Sequence, residues 1–301
     1  MSWLHVIALG ATGSAAMHAA IERGDLEEAA RQAAFAGPVI VEQALEATDR
    51  MTQLAAIAAA PLVEDRAELL EALSRVAGGA DRRTAIPAAG AARSIARELA
   101  HHPRPDDIAL GDLATWRTAW GALAMRSDRW IELRVLALDT AAALDPDGIG
   151  VDPRATLTDP DPAFRLAAVS IIALPAPVST YAALAGAIAR DAAPDVALGA
   201  AQSLCLSLDA MASDKPILEA LGATGLARLR ALVTEGNRSI AGKGPRDSLA
   251  RGNPRGVAEG DGSIAAAVRD AARCLVADGS PESTAALRAL RPIRALRPIR
   301  R

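Results

Sequence analysis

Four histidines, two cysteines and several clustered aspartates are the residues whose types could do chemistry, and their spacing decides whether they do. His101 and His102, with Asp106 and Asp107, carry the donor atoms of a metal site. Two such ligands converge on one ion at i and i+4 of a helix, and adjacent histidines in a proline-bearing stretch lack that spacing. The run from Asp145 through Asp147 to Asp152 has the composition of a calcium loop. It lacks a third carboxylate in phase and a glutamate at the twelfth position, so it reads as an inter-helix connection. Gly10-Ala11-Thr12-Gly13-Ser14 has no leading strand and no following Gly-Lys-Ser, and is assigned no phosphate. All four histidines precede residue 103, so no Ser/His/Asp set is nominated. Cys205 and Cys274 each sit inside an Ala/Leu-rich helical pattern. They fit neither a disulfide scaffold nor a metal cluster and read as small buried hydrophobes. The sequence therefore nominates no catalytic, cofactor-binding or metal-ligating residue, and no cofactor.

Charge is the other resource. The chain carries a net charge of −3 with a pI near 5.9, which argues against a general polyanion binder. Basic residues concentrate at two places. The Gly-, Pro-, Arg- and Ser-rich stretch 236–262 reads as a long mobile loop, solvated or clasping an acidic partner. At the C-terminus, Ala289-Leu290-Arg291-Pro292-Ile293-Arg294 is repeated verbatim as residues 295–300. Arg288, Arg291, Arg294, Arg297, Arg300 and Arg301 face no acidic residue in this tail, and its two prolines rule out a regular helix through it. If the tail acts, it acts electrostatically, on RNA, acidic lipid or an acidic protein patch. A solvated tandem duplication is the plainer reading.

The elements that must position these residues follow from composition and periodicity. Hydrophobic residues make up 51% of the 301 and aromatic residues only 2%, so the core must be Ala, Leu, Val and Ile. Alanine has the best helix propensity and lets helices approach closely, whereas strand cores lean on β-branched and aromatic side chains. Leu4 to Ala20 is mildly apolar, but no Lys or Arg precedes it and His5 and His18 interrupt it. A cytoplasmic protein is the expectation; residues 1–20 acting as a signal peptide would make it exported. No stretch reaches the ~18 uninterrupted apolar residues of a spanning helix, so no transmembrane segment is expected.

A repeat organises the middle of the chain. Asp159-Pro160-Asp161-Pro162-Ala163-Phe164-Arg165-Leu166-Ala167-Ala168 returns in register at Asp191 through Pro194, Val196 and Ala200, 32 positions later. The shared template is Asp, Pro three on, a large apolar residue five on and a small residue nine on. Asp49, Asp81, Asp128 and Ser263 fall at further anchors, with Leu54 and Ala58, Ile86 and Gly90, Leu133 and Ala137, and Val268 and Ala272 at the matching offsets. Asp caps a helix start, Pro is tolerated in a first turn, and the large and small residues share a buried face. Second helices lie between anchors. Glu64 to Ala77 is one, ended by Gly78-Gly79; Asp112 caps another bearing Leu113, Trp116, Trp120 and Leu123; Pro177 opens a third with Val178, Tyr181, Leu184 and Ile188 on one face.

In these motifs, from about Pro38 to Ala277, the chain resembles the short bacterial HEAT repeat, the form also seen in phycobilin-lyase-like proteins. The resemblance rests on D-P-D-P-A-F-R-L-A-A and, second, on Val268-Arg269-Asp270-Ala271-Ala272. It implies an all-α, α-α superhelix of about six helix pairs. The family's recurrent arginine falls at Arg134, Arg165 and Arg269, while Ala55, Pro87 and Ala197 hold the equivalent positions, so the Asp–Arg ladder between repeats is incomplete. The expected organisation is a capping pair over 1–37, repeats over 38–235, the loop 236–262, repeat helices over 263–287 and the tail 288–301.

The functional expectation is a non-catalytic scaffold that presents the concave face of its superhelix to an unidentified protein partner. Arg134, Arg165 and Arg269, with Arg291, Arg294, Arg297 and Arg300, are the candidate contact residues. Nucleic acid is not expected as a partner except through the tail. The alternative is a HEAT-type enzyme, either lyase-like on a partner protein or glycosylase-like on nucleic acid. The latter needs a basic face with stacking aromatics, and only Trp116, Trp120 and Trp130 cluster.

Overall fold

The structure, a computed structural model, describes residues 3–101, 110–145, 150–172, 175–242 and 257–290. Among them there are fifteen α-helices and no strand. The chain divides into two compact units, Met1–Val151 and Asp152–Arg301. The first contains α1 (Trp3–Glu22), α2 (Leu26–Ala36), α3 (Pro38–Leu45), α4 (Arg50–Ala59), α5 (Leu69–Ala77), α6 (Arg82–His101), α7 (Leu110–Ala124) and α8 (Ile131–Ala143). The second contains α9 (Pro153–Thr156), α10 (Pro162–Ile171), α11 (Tyr181–Arg190), α12 (Pro194–Leu206), α13 (Lys215–Gly242), α14 (Val257–Asp278) and α15 (Pro281–Ala289).

Successive helices pack as pairs: α1 with α2, α3 with α4, α5 with α6 and α7 with α8 in the first unit. There α2, α4, α6 and α8 also touch in succession to form one layer, and α3, α5 and α7 form the other. In the second unit α9 pairs with α10, α11 with α12 and α13 with α14; α10, α12 and α14 succeed one another in one layer, and α15 closes on α13 and α14. Seven pairs and a closing helix stand among the described residues, in keeping with the about six pairs expected. Alanine makes this spacing workable. Ala55, Ala56, Ala59, Ala85, Ala88, Ala89, Ala92 and Ala96 are all fully buried, so α4 and α6 meet over methyl groups and backbone.

The stretch 1–37 holds the hairpin α1–α2, with Met17 and Ala20 of α1 buried. No helix among the described residues is long and apolar enough to cross a membrane.

The repeat template combines two local structures that differ by two residues. Asp49 is a true N-cap: its carboxylate accepts the Thr52 N–H at 2.7 Å, and α4 starts one residue later. Asp81 likewise directly precedes α6 and accepts the Arg83 N–H at 2.9 Å. Asp159 and Asp191 stand two residues further out, accepting the N–H of Asp161 and Ala193 in turns that set up prolines at the first helical position. The offsets five and nine find the core at the second class, and also from Asp128 and Ser263: Phe164 and Ala168, Val196 and Ala200, Leu133 and Ala137, and Val268 and Ala272 are all buried. At the first class they miss. Ala58 is exposed and Leu54 half-buried, while Thr52 and Ala56, two positions earlier, are buried. Asp128 caps nothing; it pairs with Arg126, and Trp130 precedes α8. Ser263 lies inside α14, not at a helix start.

Three further expectations are corrected. The stretch 236–262 is not a loop throughout, because α13 continues to Gly242 and α14 begins at Val257; residues 243–256 lie outside the described residues. Gly236 is a packing position rather than a breaker: a Cβ there would stand 2.6 Å from Val268 Cγ2, so α14 sits against the α13 backbone. The backbone break is instead at Gly222, whose φ of 55° and ψ of −173° interrupt α13 in a region only glycine tolerates. Second, Pro177 opens a short 3₁₀ turn, leaving Val178 exposed, and α11 starts at Tyr181. Third, Cys205 and Cys274 are buried as expected but not free. They form a disulfide between α12 and α14, with Cα atoms 5.4 Å apart. Sequence separation hides this, because each cysteine occupies an ordinary core position of its own helix.

Candidate functional site

The arginines of the sequence divide by what their guanidinium groups hold. Arg134 is 3% exposed, and its Nε donates to the Ala124 carbonyl at the end of α7. It is a structural residue closing a helix terminus, not a contact residue. Arg129, which sequence reasoning passed over, does the same for α5: Nη1 and Nη2 donate to the Gly79 and Gly78 carbonyls at 2.9 and 2.6 Å. Arg269 is exposed on α14. Arg291, Arg294, Arg297 and Arg300 lie outside the described residues, as do His102, Asp106 and Asp107. Among the described residues no group of His, Cys, Asp and Glu is arranged to hold a metal. Asp145 instead accepts from Arg117 and from the Gly150 N–H, fastening the connection after α8.

Arg165 has a different role. Its Nε and Nη2 donate to Oδ2 and Oδ1 of Asp191 at 2.7 and 2.9 Å, while Nη1 donates to the Asp159 carbonyl at 2.7 Å. Both side chains are largely buried, at 14% and 4% exposure. The Arg165 bond holds the Asp191 carboxyl below its usual range, opposed by burial and helped by the Ala193 N–H. A two-point arginine–carboxylate fork is among the stronger charge-assisted contacts. Here it ties α10 to the turn that starts α12.

The fork forms one wall of an open groove of about 520 Å³ beside α9 and α11. Leu157 and Ala187 give it an apolar floor, and Thr158, Arg154 and Arg190 stand around it. The Arg154 and Arg190 side chains are exposed, and among the described residues neither makes a hydrogen bond or ion pair. Arg190 ends α11 and lies back over Gly186, one turn earlier. A cationic group there also complements the carbonyl end of the helix. Neither residue was a sequence candidate; the one available signal was the Gly186–Arg190 spacing of four inside a helical run.

A second open groove, in the first unit, has the opposite character. Glu42, Glu46 and Glu71 converge on Arg75 at 3.5, 3.0 and 3.0 Å, with Asp81 nearby. These side chains are exposed, from 48% at Arg75 to 64% at Glu71, and satisfy one another, so they offer little to a ligand. The aromatic cluster is core: Trp116 and Trp120 are buried, and the half-buried Trp130 lies under Arg129, whose Cζ is 6.0 Å from its ring centre.

No family model matches the chain, and neither a curated protein nor a solved structure matches it.

Proposed function

We propose that the chain is a non-catalytic HEAT-like scaffold that binds a protein partner through an open face of its repeats. The observation that carries this reading is the Arg165–Asp191 fork. An arginine of one repeat grips the aspartate that opens the next, which is the inter-repeat contact the resemblance implies. Stacked helix pairs held this way spend few side chains on closing a central cavity and leave long faces open for contact. Trp116 and Trp120, needed on a surface by the glycosylase-like alternative, are instead built into the core.

The test is affinity capture from native lysate with the full chain as bait, followed by mass spectrometry and reconstitution of the captured protein with purified chain. A partner that forms a stoichiometric complex with the folded chain supports the scaffold. Absence of any protein retained beyond a thermally unfolded control, or turnover of a captured molecule by the chain, overturns it.

A further inference from the structure

We infer that the groove beside α9 and α11 is a docking site for an acidic segment of a partner protein, with Arg154 and Arg190 receiving its carboxylates. The inference rests on the scaffold reading above and assigns the chemistry to one surface of the second unit. Two exposed guanidinium groups line this groove without partners among the described residues. A planar guanidinium matches a carboxylate at two points, which an ammonium cannot do. The neighbouring Arg165 does not compete for the ligand, because Asp191 already satisfies it.

Gly186 supplies an independent observation. Glycine is disfavoured in a helix interior relative to alanine. A Cβ at this position would lie 2.6 Å from Arg190 Nη2 and 3.4 Å from its Cζ, so the guanidinium occupies the space the missing side chain leaves. The three atoms nearest to the added Cβ, outside the helix's own backbone, all belong to Arg190. The arginine is thereby packed back over its own helix beside the groove, which lowers the ordering cost of binding.

The charge around the groove selects the ligand class. Asp159 and Asp191 line it beside three arginines, so its formal charge is only +1, which suits one or two carboxylates better than a polyphosphate backbone. No aromatic side chain lines it for base stacking. Leu157 and Ala187 provide apolar contact for the aliphatic stem of a glutamate.

The experiment is fluorescence anisotropy of the full chain with a labelled peptide of alternating Glu and Ala, across a salt series. An oligothymidylate of equal length is run alongside. The wild-type protein should bind the peptide, more weakly as salt rises. Arg154→Gln with Arg190→Gln should weaken it by about tenfold or more. Gly186→Ala should weaken it several-fold while the unfolding midpoint stays unchanged or rises, a combination that a purely structural role for Gly186 would not give. Equal affinity of wild type and double variant overturns the inference, as does tighter, arginine-dependent binding of the oligothymidylate. Capture with the double variant separates this from the scaffold reading. A partner retained equally by both baits removes the groove and leaves the scaffold, whereas no partner on either bait removes both.

Discussion

Breaking the bond between Cys205 and Cys274 should destabilise the second unit more than any other single covalent change. The two residues are 69 positions apart, and the bridge joins α12 to α14 around the whole of α13. The loop-entropy relation for a ring of that size gives about 4 kcal/mol, from the freedom the cross-link removes from the unfolded chain. Both cysteines are fully buried, so Cys→Ser would add the cost of a buried hydroxyl; Cys205→Ala with Cys274→Ala is the cleaner perturbation. At roughly 2–4 °C per kcal/mol for a domain of this size, the midpoint should fall by on the order of 10 °C. Thermal melts followed at 222 nm, with the wild type oxidised, the wild type fully reduced, and the double variant, measure it directly. Reduced wild type and double variant should coincide well below the oxidised protein. Equal midpoints in all three, or two alkylatable thiols per chain in protein unfolded without reductant, would refute the reasoning.

Other outcomes follow from the packing. Ala168→Leu or Ala200→Leu should cost ~1–3 kcal/mol by overpacking the contact between α10 and α12, read as a lowered denaturation midpoint. Asp191→Ala strands the largely buried Arg165 and should cost about 2–3 kcal/mol at neutral pH. The Asp191 carboxyl is depressed below its ordinary 3.8 in the folded state, so its contribution is present above that value and is lost as pH falls through the folded one. The gap between this variant and wild type should therefore be full above pH 3.8 and close only as pH falls below it, through the depressed folded value. Gly150→Ala should cost at least about 2 kcal/mol by chemical denaturation, because Gly150 has φ +70° and an added Cβ would press on the Ala141–Ala142 backbone.

Fold class was legible because it depends on short-range information. An alanine-rich, aromatic-poor chain with apolar residues three and four apart has few ways to fold other than as packed helices. The repeat at Phe164 and Ala168, and at Val196 and Ala200, was readable for the same reason. What escaped was geometry that composition does not encode. An aspartate capping a helix and one forming a turn two residues earlier look identical in sequence, so Asp49 and Asp159 were placed in one register although their cores are offset. Gly236 reads as a breaker by propensity, yet it is a helix–helix contact because Val268 approaches it. The disulfide and the Arg129 closure of α5 are long-range contacts with no local trace. The groove arginines escaped because what singles them out, side chains without a partner among the described residues, shows only once their neighbours are placed.

The scaffold account meets its most direct test in site-specific photo-crosslinking. A photoreactive residue is placed at Ala183, which lines the groove, and in a separate protein at Ala58, which is exposed on α4. Each full-length protein is irradiated in native lysate, and crosslinked peptides are sequenced. The account predicts that Ala183 captures a defined protein through an Asp- or Glu-rich segment, that added salt suppresses the product, and that Ala58 does not yield it. The same products from both positions, or an Ala183 product that is nucleic acid or a small metabolite, would contradict it.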